Sequence, residues 1–329
     1  MNVEKILEAK SKMIDREIAA VFPKKGLNNL NDAAWYHLST GGKRIRPVMG
    51  IMVCEALNGD SKKALPFMAA CEILHNWLLI HDDIEDGDAV RRNKPTVWKK
   101  YGIAHAINVG DYMSQKTFEL ILRSRKRGVD EKKTLRLMAM MVDTAIKTAE
   151  GQAMDINLRN NDRPKERDYM DAVLHKTAYY IALPMIGGAV IAGADEKTIN
   201  RIDELGKYIG PAFQIIDDLL DLTEGKGRGE IGRDVKEGKR SILVIHCLSK
   251  CSKEEEKKLL SILNKQVKET SIDDITYAKI LFEKYGSVNY AKRKADWLIK
   301  KAKAITAKMP PKLRDTLDLF IDYLVERKK

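Results

Sequence analysis

The sequence is poor in aromatics, in paired cysteines, in glycine and proline breaks and in long uncharged runs. Each shortage closes off a class of protein. Aromatic residues make up 6% of the 329 residues, and no finger, RNP or helix-turn-helix pattern accompanies them, so nucleic acid is disfavoured as a partner. The four cysteines, Cys54, Cys71, Cys247 and Cys251, contain no CxxC pair. Cys247 and Cys251 have no second pair or ligand set nearby, which speaks against zinc. Cys54 and Cys71 lie in apolar stretches as packed thiols, a usage that fits a reducing cytosol. The most apolar stretch, Pro66 to Ile80, contains Glu72 and His75 and is shorter than the roughly 20 residues of a membrane span. The N-terminal segment mixes acids and bases and lacks the apolar centre of a signal peptide. These features predict a soluble, cytoplasmic chain without stable membrane insertion.

Strand signals are missing too. No run alternates with period two between hairpin turns, and no βαβ spacing occurs. Apolar residues recur at intervals of three and four, as in Leu135, Met138, Met141, Val142, Ala145 and Ala149. Segments such as Ala69 to Ile80 and Ile181 to Ile191 are apolar nearly all round, as helices enclosed by other helices are. The expected fold class is all-α. No linker or composition shift divides the chain, so a single helical domain over 1–329 is expected. The hydrophobic fraction of 44% is ample for a core. The net charge of +12 admits two readings: acidic partners such as anionic lipid or phosphorylated small molecules, or a solvated Lys/Arg surface.

What stands out is a carboxylate triplet that occurs twice. Asp82, Asp83 and Asp86 form one DDxxD pattern, and Asp217, Asp218 and Asp221 form another. Each ends an apolar run. On a helix the first and third carboxylates share a face, about one turn apart. Like charges at the edge of a core need a cation, and an all-oxygen set suits a hard divalent ion with room left for phosphate oxygens. Taken singly, a DDxxD is a weak signal, more readily read as an acidic, solvated helix end; the Gly41 to Pro47 cluster alone reads equally as a basic surface loop. Three basic clusters accompany them: Gly41-Gly42-Lys43-Arg44-Ile45-Arg46-Pro47, Arg91-Arg92, and Gly232 to Arg240. Guanidinium forks and ammonium groups beside metal-binding carboxylates suit a shared diphosphate.

In order and approximate spacing, GGKRIRP, HDDIEDGDAVRRNKPT, EGQAMDI, HKTAYY, FQIIDDLLD and GRDVKEGKR resemble the trans-isoprenyl diphosphate synthases, closest in pattern to archaeal short-chain farnesyl and geranylgeranyl enzymes. The resemblance spans about residues 35–245. It implies one large helical bundle of the isoprenoid synthase type, with a central substrate cavity, working as a homodimer. It implies a transferase joining isopentenyl diphosphate to an allylic diphosphate with three Mg²⁺ ions. By that resemblance Asp82, Asp86 and Asp217 are the main Mg²⁺ ligands, and Asp83, Asp218 and Asp221 are further or water-mediated ones. Lys43, Arg46, His75 and Arg92 would bind isopentenyl diphosphate. Arg91, Lys176, Thr177, Gln214 and Lys239 would hold the allylic diphosphate. Thr177, Gln214 and the Lys176 carbonyl would turn negative dipole ends toward the allylic cation, and the released diphosphate would take the proton. His81 reads as a packed neighbour.

Product length should be set along the helix before Asp82. Trp77, Leu78 and Leu74 lie five, four and eight residues upstream, and each turn advances about 5.4 Å, roughly one isoprene unit. In the family it resembles, a large residue at the fifth position upstream accompanies short products, so the resemblance makes Trp77, the largest, a floor for C15 to C20 products, with C20 foremost and C25 reachable if the tail slips past; the alternative is that Trp77 only packs in the core. Several positions depart from the family pattern. Asn93 stands for a Gly after the two arginines, and Ser241-Ile242-Leu243 for Thr-Leu-Pro. Gly229 stands for a Lys that Lys226 or Arg228 would replace. Arg327-Lys328-Lys329 reads as a basic tail. A class I terpene synthase normally has Asn, Ser and Glu in its second metal motif, and a non-catalytic subunit generally loses a triplet. The two intact DDxxD motifs speak against both.

Overall fold

The computed structural model describes residues 3–23, 26–223 and 231–325. Gly229, Lys226, Arg228 and the tail Arg327-Lys328-Lys329 lie outside the described residues. The described chain is helical almost throughout. In order it runs α1 (Val3–Ala19), α2 (Asn31–Ser39), α3 (Ile45–Ala56), α4 (Ser61–Glu85), β1 (Val90–Arg91), β2 (Lys94–Pro95), α5 (Val97–Tyr101) and α6 (Ile103–Arg123). It continues with α7 (Glu131–Leu158), α8 (Glu166–Val173), a π-helical turn (Leu174–Ala178), α9 (Tyr179–Ala192) and α10 (Glu196–Asp221). The last elements are α11 (Arg233–Lys236), α12 (Ile242–Leu248), α13 (Lys253–Leu263), α14 (Ile272–Lys284), α15 (Ser287–Thr306) and α16 (Pro311–Val325). No described helix is long and apolar enough to cross a membrane.

The chain forms two compact units. The first comprises Met1–Ala145, Tyr180–Leu205 and Ile305–Tyr323; the second comprises Ile146–Tyr179, Gly206–Ala304 and Leu324–Lys329. In the first, α4 packs against α1, α3 and α6. Phe67, Met68, Ile73 and Leu74 of α4 are fully buried, each side chain contributing about 1.5–3 kcal/mol of burial free energy. Cys54 and Cys71 are buried free thiols, as expected. Close approach of α3 to α9 depends on two glycines. A Cβ on Gly188 would lie 2.2 Å from the Gly50 carbonyl oxygen, and one on Gly50 would lie 2.5 Å from the Pro184 oxygen. In the second unit, Ile215 of α10, Ile242 and Cys247 of α12, Leu259 of α13 and Phe282 of α14 share one apolar cluster.

Two sequence expectations need correction. The stripe read along α7 only partly matches its buried face: Met141 is buried and Met138 and Ala145 are half-buried, but Leu135 and Val142 are exposed, and Thr134, Leu137, Thr144 and Thr148 complete the buried line. A threonine is tolerated there because its hydroxyl can bond the carbonyl four residues back, as Thr134 Oγ1 does to Asp130 O at 2.9 Å. The second correction is a small antiparallel pair, Val90 with Pro95 and Arg91 with Lys94. Arg92 and Asn93 close it, both left-handed at φ 52° and 59°, as a two-residue I′-type turn requires. Asn tolerates that region, so it fills the place of the expected Gly at little cost.

Gly188→Ala pushes a Cβ into rigid backbone. It should lower stability by about 1–3 kcal/mol, the usual range for overpacking, read as a reduced urea midpoint. An unchanged midpoint would show that α3 and α9 can separate freely.

Candidate active site

Both carboxylate triplets sit on the last turns of long helices. Asp82, Asp83 and the C-cap Asp86 end α4, and Asp217, Asp218 and Asp221 end α10. A helix C-terminus carries unsatisfied carbonyls and partial negative charge, so it repels carboxylates and attracts cations. The sequence has placed acids where bare electrostatics disfavours them.

In the first unit the hairpin delivers Arg91 to this acidic end. Its Nε donates to Asp83 Oδ1 at 2.5 Å, and its Nη2 donates to Asp82 Oδ2 at 3.2 Å and lies 3.7 Å from Asp88 Oδ2. Burial pushes the Asp83 carboxyl up to about 7, against the pull of Arg91. Its Oδ2 is buried without a hydrogen-bond partner. Asp86 and Asp88 are also buried. The Arg91 guanidinium is thus shared among Asp82, Asp83 and Asp88. A hard, oxygen-preferring divalent ion fits this donor set. Asp88 escaped the sequence reading because it falls outside the DDxxD spacing; its signal was the Gly87-Asp88 step just before the two arginines.

The other pole of this unit is basic. Arg46, on the first turn of α3, donates from Nη2 to Tyr180 Oη at 2.8 Å, its guanidinium 4.7 Å from the centre of that ring. Arg46 Nη1 lies 3.3 Å from His75 Nε2, and since arginine only donates, Nε2 accepts and the imidazole proton sits on Nδ1. His75 stacks on Tyr180. Lys43 Nζ lies 3.2 Å from Tyr323 Oη. Arg92 donates to Thr40 Oγ1 and to the Gly41 carbonyl. Two histidines register the resulting field. Burial, then Arg92, Arg91 and Arg44, lower His37 to about 3. Burial, then Arg46, Arg92 and Arg91, hold His75 well below the usual imidazole range. Burial contributes most to both shifts and the arginines add to it; the arginines themselves are what would attract an anion. Tyr180 was quoted in the sequence but given no role; only the fold reveals it under Arg46.

Trp77 is partly exposed on α4, edge-on to His81 with ring centroids 5.7 Å apart. Leu78 is partly exposed and Leu74 is buried. His81 lies against α6, where a Cβ on Gly110 would meet its Nε2 at 2.2 Å, so it is a packed neighbour as expected.

In the second unit, the π-helical turn Leu174–Ala178 carries Lys176 and Thr177. Two glycines let neighbouring helices close on it: a Cβ on Gly151 would lie 2.1 Å from Lys176 N, and one on Gly210 2.4 Å from Ala178 Cα. Lys176 Nζ donates to Asp155 Oδ2 at 2.9 Å. Burial works to raise Asp155, but Lys176 and Lys239 hold it below the usual carboxylate range. Thr177 Oγ1 donates to Gln214 Oε1 at 3.4 Å, and Gln214 Nε2 donates to Asp218 Oδ1 at 2.9 Å. Tyr169 Oη donates to Asp218 Oδ2 at 2.7 Å. Asp218 therefore has both oxygens hydrogen-bonded within the protein. Asp217 is partly exposed and Asp221 is buried, the latter accepting from Asp234 N at 3.0 Å. Lys239 Nζ rests on Glu237 Oε2 at 2.7 Å and Asp234 Oδ1 at 3.4 Å. Asp155 and Glu237 stand inside the motifs EGQAMDI and GRDVKEGKR but carried no role there, and Tyr169 lies in no motif.

The sequence pattern of the polyprenyl synthetase family matches residues 27–280. A short chain isoprenyl diphosphate synthase of Methanothermobacter thermautotrophicus is 33% identical over 331 residues, covering 99% of this chain and 99% of its own. A geranylfarnesyl diphosphate synthase of Aeropyrum pernix is 31% identical over 309 residues, covering 92% of this chain and 95% of its own. Among solved structures, a geranylgeranyl pyrophosphate synthetase from Pyrococcus horikoshii matches with a TM-score of 0.90 and 33% identity over 99% of both chains.

The depressed His75 fixes a pH expectation. A group whose protonated form is disfavoured in the fold stays neutral at every pH above its lowered value. The His75 ring nitrogens should therefore show neutral-imidazole NMR shifts, with no titration, from pH 6 to 8. An inflection near pH 6.5 would contradict the cationic pocket.

Proposed function

The chain belongs to the polyprenyl synthetase family and is a prenyltransferase, and from that premise we propose that it condenses isopentenyl diphosphate with an allylic diphosphate to give geranylgeranyl diphosphate. The observation that carries the reading is the placement of a DDxxD triplet on the C-terminal turn of both α4 and α10. Mg²⁺, held chiefly by Asp82, Asp86 and Asp217 with Asp83, Asp218 and Asp221 as further or water-mediated ligands and three ions in all, would supply Lewis-acid stabilisation of the departing diphosphate. Arg91, Lys176 and Lys239 hold the allylic diphosphate and exchange their present carboxylate partners for phosphate oxygens. Thr177 and Gln214, already bonded to each other, present oxygen dipoles to the allylic cation. Lys43, Arg46 and Arg92 grip isopentenyl diphosphate, and neutral His75 keeps Arg46 in place while its Nδ1–H remains a donor. The double bond of isopentenyl diphosphate attacks the cation, and the released diphosphate takes the proton that leaves.

The proposal treats 1–329 as one synthase domain, supported by the end-to-end coverage of the relatives. It has the enzyme working in the cytoplasm as a homodimer. Exposed Ile103, Ile107 and Leu122 on α6 and Leu135 and Val142 on α7 support a helix-face interface. Trp77 sets the product floor. C25 is the second reading, favoured by the similarity to the Aeropyrum pernix protein named for that product.

The purified protein with Mg²⁺, isopentenyl diphosphate and dimethylallyl, geranyl or farnesyl diphosphate should yield geranylgeraniol after dephosphorylation. Trp77→Ala with Leu74→Ala should lengthen the alcohols by one isoprene unit or more. A hydrocarbon made without isopentenyl diphosphate would overturn the reaction. Unchanged chain lengths in the double variant would overturn the floor.

A further inference from the structure

Arg44 stands between Lys43 and Arg46 in sequence, yet it does not share their exposure. It is 8% exposed and left-handed, at φ 51°, a backbone region that a long side chain occupies only when its surroundings hold it there. Every nitrogen of its guanidinium donates. Nε donates to Asp15 Oδ1 at 3.0 Å, Nη1 to Glu72 Oε1 at 3.0 Å and to Gly41 O at 3.2 Å, and Nη2 to Leu38 O at 3.3 Å. Burial works to lower the Arg44 pKa, but Glu72 and Asp15 outweigh it and the net shift is upward.

Glu72 is 3% exposed and lies on α4, three residues before His75. Fully buried Asn76, four residues on, fixes it by donating from Nδ2 to the Glu72 carbonyl and to Oε1, both at 2.8 Å. The pair therefore joins the turn that carries Lys43 and Arg46 to the helix that carries His75. A buried ion pair is a poor source of net stability, because desolvation of both ions offsets their attraction. Its geometry is nonetheless strict, since an unmatched partner would be left charged in the core.

We propose that Arg44 and Glu72 are positioning residues for isopentenyl diphosphate. The buried pair pulls the backbone of residue 44 inward in a left-handed turn, and this turns Lys43 and Arg46 outward in fixed register with His75. The pair touches no substrate. It sets the affinity of one substrate and not the other, because among the described residues its side-chain hydrogen bonds run to Asp15, Leu38, Gly41 and Asn76 and to no member of the allylic set. The inference rests on reading Lys43, Arg46 and His75 as the isopentenyl diphosphate pocket.

Steady-state kinetics of Glu72→Gln, with both substrates varied, test it. Glu72→Gln keeps shape and hydrogen-bonding atoms and removes only the charge. It should raise KM for isopentenyl diphosphate at least tenfold, leave KM for the allylic diphosphate within twofold, and leave product length unchanged. The paired variant Arg44→Met with Glu72→Met removes the buried charge imbalance. It should recover the melting temperature lost in Glu72→Gln, yet keep the raised KM. Equal rises in both KM values, or a KM that recovers together with the melting temperature, would reduce the pair to a structural role and overturn the proposal. Arg46→Ala is the control. If it leaves KM for isopentenyl diphosphate unchanged, the pocket reading itself fails; if it raises KM while Glu72→Gln does not, only the positioning role fails.

Discussion

Acidic side chains concentrated on helix C-termini are the constraint around which the rest of this chain is arranged. Three effects oppose them at once: mutual repulsion, partial burial, and the negative end of the helix dipole. On α4 the conflict is visible in Asp83, driven up to about 7 although Arg91 is 2.5 Å away. The two-residue hairpin exists to bring that arginine back onto the helix end. Its strained turn, with Arg92 and Asn93 both left-handed, is part of that arrangement. On the proposed function, divalent ions and a diphosphate would complete the charge balance of this end.

The same helix carries the opposite problem. His75 lies seven residues before Asp82, about 10 Å along the axis, amid Arg46, Arg91 and Arg92. One helix thus bears a basic surrounding at His75 and an acidic C-terminal end, with Trp77 and Leu78 between them. On the proposed function, the spacing of the two reacting groups and the start of the product tail would be set by helix geometry and not by loops. The buried Arg44–Glu72 pair and the Gly50–Gly188 crossing anchor that geometry from outside the chemistry.

The fold class was legible because helix periodicity is a local property, and α4 and α9 are buried nearly as their composition suggested. The stripe on α7 misled because hydrophobicity alone was counted. Thr134, Thr144 and Thr148 are buried while Leu135 and Val142 face outward, and a self-bonding hydroxyl makes that possible. Residues that would touch phosphate or metal were readable as motifs, since the chemistry demands residue types at set spacings. Residues that hold them were not. Asp155 under Lys176, Tyr169 under Asp218, Tyr180 under Arg46 and Glu72 under Arg44 are distant in sequence or unremarkable in type. Only packing brings them into contact.

The central claim is that both triplets bind divalent ions together with a diphosphate. Calorimetric titration of a non-ionising allylic thiolodiphosphate tests it most directly, with and without Mg²⁺, on the unaltered protein and on Asp82→Ala and Asp217→Ala. The account predicts tight binding only with Mg²⁺, and loss of that Mg²⁺-dependent gain in each variant. Binding of equal strength in the presence of a chelator, or undiminished in either variant, would contradict it.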